Sequence, residues 1–137
     1  MSIFRILTPV EVENFKDSRG SLSISNLPNF EKFETKRIYY ISDVPPNTMR
    51  GAHAHKNLKQ IFFALRGKFN LRVSDGVITE EVELSASGSG YFLSEGYWRE
   101  LTNFSTDAVC LVVASEHYDE HDYIYSYEEF LEWKKSE

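Results

Sequence analysis

The 137-residue sequence has a single cysteine, no long hydrophobic run and fewer basic than acidic residues. One cysteine excludes a disulfide within the chain, and the apolar setting of Cys110 in VCLVVA indicates a packing residue in a reducing compartment. No apolar run approaches the roughly 20 residues of a membrane helix. The N-terminus carries acidic residues where a secretion signal carries basic ones. We therefore expect a cytoplasmic protein that has no membrane partner.

The charge balance argues against nucleic acid as a partner, and the missing glycine-rich loop argues against nucleotide binding by backbone N–H groups. Lys and Arg number 15 against 21 Asp and Glu, for a net charge of −6, so nucleic acid is not expected as a partner. No GxGxxG loop follows a predicted strand, so cationic and aromatic side chains would have to hold any nucleotide. A basic cluster in this acidic protein would then indicate a local anion site.

What the sequence does contain is typical of an all-β protein. Short runs rich in Val, Ile, Phe and Tyr alternate with Gly, Pro, Asn and Asp. The Asp75-Gly76 pair predicts a hairpin turn in which both residues take positive φ, and Ser126 with Glu129 predicts the start of a short C-terminal helix. We expect one domain over residues 1–137. The predicted strands are 20–25, 36–42, 50–55, 59–65, 68–74, 77–84, 90–93, 99–103 and 108–115.

The stretch RGAHAHKN at 50–57 places two histidines one residue apart in a predicted strand. Residues two apart in a strand share a face, so His53 and His55 point into the same space. In KRIYYIS the same rule places Arg37 and Tyr39 together. The pattern predicts strands that close around a lined cavity.

The segment from 53 to 67, HAHKNLKQIFFALRG, resembles the first cupin motif, and Gly88, Gly96 and Asn103 fall on positions of the second. The resemblance implies a cupin-type jelly-roll β-barrel. Gln60 and Arg99 stand where metal-binding cupins have ligands. Because arginine has no lone pair to offer a metal, we expect no metal here.

A narrower resemblance covers nearly the whole chain. DSRGSL at 17–22, KRIYYISDVP at 36–45, RGAHAHK at 50–56 and YDEHDYI at 118–124 resemble the sugar nucleotide 3,4-ketoisomerases, also called the WxcM-like family. The resemblance implies a metal-independent isomerase without a cofactor that acts on dTDP-4-keto-6-deoxy-glucose. The ketone would move from C4 to C3, a PLP aminotransferase would act next, and the product would enter bacterial surface glycans. The resemblance also implies a homodimer with exchanged N-terminal strands.

The resemblance also implies roles for individual residues. His53 matches the catalytic base and His55 a second essential histidine, and Tyr39 is the candidate for hydrogen bonding to the sugar and for proton relay. Histidine suits proton transfer because its ordinary pKa lies near 6.5. A basic group at the barrel mouth would hold a phosphate or stabilise an enolate. The predicted substrate-binding residues are Arg19, Arg37, Arg50, Lys56, Gln60 and Arg99.

Several alternatives stay open at this point. The chain could be a non-catalytic cupin that binds a sugar nucleotide, a dTDP-sugar 3,5-epimerase or a metal-dependent oxygenase. The identity of residue 99 leaves the gluco or galacto configuration of the product undecided. The acidic segment with His117, Asp119, Glu120, His121 and Asp122 has no recognisable ligand spacing, so we expect it to be structural.

Overall fold

The computed structural model describes residues 4–27 and 33–137, and in them two antiparallel sheets pack face to face. No helix in these two ranges is long and apolar enough to span a membrane. A 3₁₀ turn at Glu120–Asp122 precedes the last strand. In chain order the elements are β1 (Thr8–Val10), β2 (Glu13–Asp17), β3 (Gly20–Ile24), β4 (Arg37–Ser42), β5 (Arg50–His55), β6 (Gln60–Arg66), β7 (Lys68–Ser74), β8 (Thr79–Ser85), β9 (Gly90–Leu93), β10 (Trp98–Thr102), β11 (Val109–Ala114), β12 (Tyr123–Ile124) and α1 (Tyr127–Lys135).

The strand order places non-consecutive strands side by side, as in jelly-roll folds. Sheet 1 has the order β1-β9-β6-β11-β4, and sheet 2 has the order β12-β5-β10-β7-β8. Strands β2 and β3 form a separate N-terminal hairpin. The predicted all-β fold, a cupin-type jelly-roll β-barrel with a short C-terminal helix, is confirmed, and its two sheets pack as a sandwich.

All nine predicted strands exist, with ends that differ by two residues at most. Strands β1, β2 and β12 were not predicted. The first has three residues and includes Pro9, and the last has only two, so neither offers a readable alternation. The second, ENFKD, is exposed along its whole length. Its charged composition carries no signal of burial on one face.

The β7–β8 hairpin is confirmed, but the prediction for its turn was wrong in one respect. Gly76 has φ +99°, whereas Asp75 does not take positive φ. The connection is longer than a two-residue turn, because Ser74 pairs with Thr79. The Asp75 carboxylate accepts hydrogen bonds from the backbone N–H of Val77 (2.8 Å) and Ile78 (2.7 Å). This side-chain turn removes the need for a second left-handed residue.

Between the sheets, most of the interior is apolar, and we call this region the apolar end. Alternate residues of β7 point inward, as their spacing predicts, while Lys68 and Arg72 are exposed. Each buried Leu or Phe contributes about 1.5–3 kcal/mol to folding. The side chains of the apolar end are Phe62, Phe69, Leu71, Val73, Leu84, Leu101, Cys110 and Val112.

Helix α1 covers the outer face of sheet 2. Ser126 caps it by accepting a hydrogen bond from the Glu129 N–H (3.3 Å), as predicted. Phe130 is fully buried against Ala54 and Trp98. The helix therefore holds strands β5 and β10 from outside, on the face opposite the histidines.

Candidate active site

Strand β5 carries the two histidines into the sandwich, next to one partner strand on each side. His53 lies opposite Arg99 of β10, and His55 lies opposite Tyr123 of β12. Both imidazoles are buried: 9% of the surface of His53 and 4% of the surface of His55 is exposed. The predicted shared face is therefore real, and we call this region of the interior the histidine end.

The two imidazoles and one carboxylate form a continuous hydrogen-bonded chain. His53 Nε2 and His55 Nε2 are 3.0 Å apart, and His55 Nδ1 is 2.9 Å from Asp122 Oδ2. The other carboxylate oxygen of Asp122 accepts from the backbone N–H of Asn57 (2.7 Å). Asp122 is itself buried, so the three side chains are fixed away from bulk water. This arrangement connects His53 to an ionisable group on another element.

The surroundings keep both histidines neutral. Burial, the Arg99 guanidinium and His55 together lower the pKa of His53 to about 2. Burial also lowers the pKa of His55, although the hydrogen bond to Asp122 acts in the opposite direction. Burial raises the pKa of Asp122, but the hydrogen bonds from His55 and Asn57 outweigh it and leave that pKa below its ordinary value. A neutral imidazole has the free lone pair with which a histidine acts as a general base.

Arg99 brings a positive charge to the histidine end. It is 3% exposed, its guanidinium lies 5.3 Å from the Phe62 ring centroid, and its Nη1 donates to the Gly51 carbonyl (3.4 Å). A β-bulge at this point sets two residues of β5 opposite one of β10. Gly51 has φ +68°, and a Cβ there would lie 2.5 Å from Arg99 Nη1. The glycine therefore makes room for the buried guanidinium.

Tyr39 faces the histidines from sheet 1. Its hydroxyl oxygen accepts hydrogen bonds from Gln60 Nε2 (2.8 Å) and Arg99 Nη2 (3.1 Å). Burial raises the pKa of Tyr39, so the phenol keeps its hydrogen at neutral pH. Both partners are donors, and the described residues supply no acceptor for that hydrogen. The hydroxyl is thus available to donate to a ligand oxygen.

Arg37 shares a face with Tyr39, as predicted, and lies at the rim of the same space. Its guanidinium is 5.4 Å from the Tyr39 ring centroid and 5.8 Å from that of Tyr118. Its Nε and Nη2 are buried without a hydrogen-bond partner, and so is Arg99 Nε. Buried donors of this kind are costly unless a ligand pairs with them. Two arginines with unused donors can bind an anion or an anionic intermediate.

Sequence reasoning missed two contributors that come from the acidic tail. Asp122 was expected to be structural, yet it hydrogen bonds to His55. The centroid of the Tyr123 ring lies 4.9 Å from that of the His53 ring and 4.4 Å from that of the His55 ring. The Tyr123 ring also stacks on Tyr125. The order Asp-Tyr followed by Ile was readable as the start of a short strand, but only pairing with β5 shows that it reaches the histidines.

The structure does not bring the other predicted cations to the histidines. Arg19 lies on the N-terminal hairpin, where its exposed side chain is paired with Asp17 (2.6 Å). Arg50 begins β5 and is exposed, and Lys56 is exposed just after the strand. Their predicted roles in substrate binding stay predictions. Over the two described ranges, no group of three or more His, Cys, Asp or Glu residues could hold a metal ion.

The fold and this geometry define the class: a cupin-type protein with a buried, neutral histidine pair beside an arginine. The family model described as WxcM-like, C-terminal (FdtA) matches residues 7–135. A TDP-4-oxo-6-deoxy-α-D-glucose-3,4-oxoisomerase from Aneurinibacillus thermoaerophilus is 40% identical over 126 residues, which are 90% of this chain and 91% of that protein.

Solved structures agree with the family match. A 3,4-ketoisomerase from Helicobacter canadensis is 39% identical, with a TM-score of 0.84 over 94% of this chain and 97% of that chain. A histidine-to-asparagine mutant of the 3,4-ketoisomerase QdtA from Thermoanaerobacterium thermosaccharolyticum, in complex with TDP-4-keto-6-deoxyglucose, is 30% identical. Its TM-score is 0.84 over 98% of this chain and 97% of that chain. This chain belongs to the WxcM-like family of sugar nucleotide 3,4-ketoisomerases, which confirms the family and the isomerase class that the motifs predict.

Proposed function

We propose that this chain moves the ketone of TDP-4-keto-6-deoxyglucose from C4 to C3, with His53 as the base. The observation that carries the proposal is a neutral, buried His53 beside the buried cation Arg99, in the sandwich of a ketoisomerase family. An imidazole must be neutral to take a proton, and a nearby cation stabilises the negative charge that then develops on the substrate.

The reaction needs two proton movements on carbon and two on oxygen. The base removes the C3 proton, the electrons of the C3–H bond form a C3=C4 double bond, and the C4 carbonyl oxygen becomes an enediolate. Delivery of a proton to the C4 oxygen, loss of the O3 proton and delivery of a proton to C4 then leave the ketone at C3 and a hydroxyl at C4. No oxidant or reductant is consumed, so acid–base side chains suffice.

Tyr39 and Arg99 suit the oxygen side of this exchange. Tyr39 has a hydroxyl hydrogen to donate, and Arg99 has an unpaired Nε. A positioned donor or charge in a water-excluded site is worth about 2.7–4 kcal/mol in transition-state stabilisation. Gln60 would hold the Tyr39 hydroxyl in place through its 2.8 Å hydrogen bond.

The remaining cations are proposed to contact the diphosphate. Arg37 has two buried donors without a partner at the rim of the site. Arg19, Arg50 and Lys56 are exposed, and their part in binding is to be tested by single substitutions. We further propose that the reaction needs no metal or cofactor, because glutamine and arginine occupy two cupin ligand positions.

We also propose a homodimer with exchanged N-terminal strands. The hairpin exposes Phe15 (54%) and Leu22 (58%), and the outer face of the edge strand β4 exposes Ile38 (62%) and Tyr40 (70%). A second copy of this chain would cover these surfaces. Light scattering of the full chain tests this, and a monomer at micromolar concentration would contradict it.

We also propose that the protein is cytoplasmic and that a PLP aminotransferase uses its product in the synthesis of surface glycans.

The function is tested by proton NMR of TDP-4-keto-6-deoxyglucose with chelator-treated protein in D₂O. We expect 3-keto signals to appear with deuterium at C4, and a parallel reaction in H₂O, in which C4 keeps a proton, gives the gluco or galacto configuration from the coupling between the C4 and C5 protons. Deuterium at C5 would show the epimerase instead. Bound but unchanged substrate, with protein that circular dichroism shows to be folded, would show a non-catalytic binding protein.

A further inference from the structure

We propose that Asp122 is a positioning residue that sets the tautomers of both histidines and so assigns the basic atom of His53 to Nδ1. The role in catalysis rests on the proposed function, whereas the tautomers can be measured without substrate. The chain Asp122–His55–His53, with contacts of 2.9 and 3.0 Å, carries the argument.

The position of Asp122 is fixed by several hydrogen bonds. Its Oδ1 accepts from the Asn57 N–H (2.7 Å), its backbone carbonyl accepts from the Lys56 N–H (3.0 Å), and its N–H donates to the Asp119 carbonyl (3.0 Å). Asp122 is 6% exposed. Its Oδ2 is therefore held toward His55, and water does not compete with His55 for hydrogen bonding to this oxygen.

The proton positions follow from which groups can donate. An ionised carboxylate only accepts, so His55 must carry its hydrogen on Nδ1. A neutral His55 then has a lone pair on Nε2, and the 3.0 Å contact requires His53 Nε2 to be the donor. A neutral His53 that is protonated on Nε2 has its free lone pair on Nδ1. No residue in the described ranges hydrogen bonds to that atom.

The same row of hydrogen bonds, from His53 through His55 to Asp122, can also spread the positive charge of the abstracted proton over both imidazoles. When His53 Nδ1 takes a proton, the imidazolium already hydrogen bonds through Nε2 to His55. Transfer of the Nε2 proton to His55 would place the positive charge next to the Asp122 carboxylate. The carboxylate thus stabilises the charged state without taking up a proton itself, as in a hydrogen-bonded acid–base triad.

Asp122→Asn reverses this logic with almost no change in shape. The amide oxygen keeps the hydrogen bond from the Asn57 N–H, so the amide NH₂ faces His55 Nδ1, which must then accept. His55 would donate from Nε2 to His53 Nε2, and the hydrogen of His53 would move to Nδ1. The base then has no free lone pair toward a substrate.

The experiment combines two readouts on wild type, Asp122→Asn and a matched control. Long-range ¹H–¹⁵N spectra of ¹⁵N-histidine protein, without substrate, report the tautomer of each ring. Steady-state assays report kcat and KM. The control is Asp119→Asn, an exposed N-cap in the same segment whose function asparagine preserves. We expect a loss of kcat of about 100-fold or more for Asp122→Asn, an unchanged KM, reversed tautomers, and wild-type behaviour of the control.

Two results would overturn the proposal. One is a wild-type spectrum in which His55 carries its hydrogen on Nε2, which needs no variant and so holds even if Asp122→Asn misfolds. The other is full kcat in a folded Asp122→Asn protein. A wild type that turns over no substrate defeats the proposed function, and the tautomers of wild type and variant then decide the positioning role alone.

Discussion

The apolar end and the histidine end lie between the same sheets, often on the same strand and only two residues apart. On β10, Leu101 is in the apolar end and Arg99 in the histidine end, and on β6 the corresponding residues are Phe62 and Gln60. A shift of two residues keeps the side chain on the same face. The two ends therefore have the same backbone frame but opposite chemistry.

The difference shows how the fold separates stability from reactivity. The apolar end buries hydrocarbon and has no group to ionise except Cys110, whose pKa burial raises to about 12. The histidine end buries a cation with an unpaired Nε and two neutral imidazoles. Burying such groups is unfavourable, so the apolar end must supply the stability that the histidine end uses.

The largest expected effect is on activity. Changing His53→Asn should lower kcat by about 10²–10⁴, because the proposed base is lost while a polar side chain is kept at the site. The free energy of unfolding should change by less than about 1 kcal/mol. NMR assays and urea unfolding measure the two quantities separately.

The matched control for this variant is His117→Asn, the same substitution at an exposed histidine. It should leave both kcat and stability unchanged within about 0.5 kcal/mol. Equal loss of activity in both variants would show that His53 has no special role. A large loss of stability in His53→Asn would mean that the histidine end also holds the fold together.

The next effect is a loss of stability without a loss of activity, and it is expected in the apolar end. Leu71 is fully buried on β7, so Leu71→Ala should lower the free energy of unfolding by about 2–5 kcal/mol through lost burial and a cavity. The kcat of the remaining folded molecules should be unchanged. Urea unfolding with activity corrected for folded fraction checks this, and Val77→Ala, at a residue 91% exposed, is the control. A much reduced kcat for the folded fraction would show that the two ends are coupled.

A third effect is the pH dependence of stability between about pH 7.5 and 5.5, which should arise mainly in the histidine end. The pKa values of His53 and His55 lie below 6.5 in the folded protein, so the unfolded chain binds more protons at acid pH. Their contribution to stability is complete above about pH 6.5 and falls as the pH drops, by up to about 1.4 kcal/mol per unit for each histidine. Urea midpoints between about pH 7.5 and 5.5 measure the slope. An equal slope in His53→Asn would refute its assignment to that residue.

The sequence was sufficient to predict nine strands and the buried face of several of them, because burial follows the strand period. Lys68 and Arg72 are exposed and Leu71 is buried, as alternation predicts, and the shared faces of His53 with His55 and Arg37 with Tyr39 follow from the same rule. Periodicity describes one strand at a time, however. It does not say which strand lies opposite, so contacts between elements stay hidden.

Two residues illustrate what could not be predicted. Asp122 is 67 positions from His55 along the chain, and nothing in an acidic segment distinguishes a carboxylate that caps a turn from one that reaches a histidine. Gly51 was part of a recognised motif, but its function, to make room for the Arg99 guanidinium at a bulge, depends on β10 pairing with β5. Both roles come from contacts across the sandwich.

The last expected effect, a small one on stability, comes from the buried cation of the histidine end. Arg99→Met keeps most of the side-chain volume but removes a buried charge, so the free energy of unfolding should stay within about 1 kcal/mol of wild type or rise. Arg99 also contributes to the low pKa of His53, so that pKa should rise in the variant. Urea unfolding and histidine NMR titration measure the two changes, and activity should fall because the cation proposed to stabilise the enediolate is lost. A destabilisation as large as that of Leu71→Ala would show that the bonds from Arg99 to Gly51 and Tyr39 hold the two sheets together. The separation of stability from reactivity would then fail at this residue.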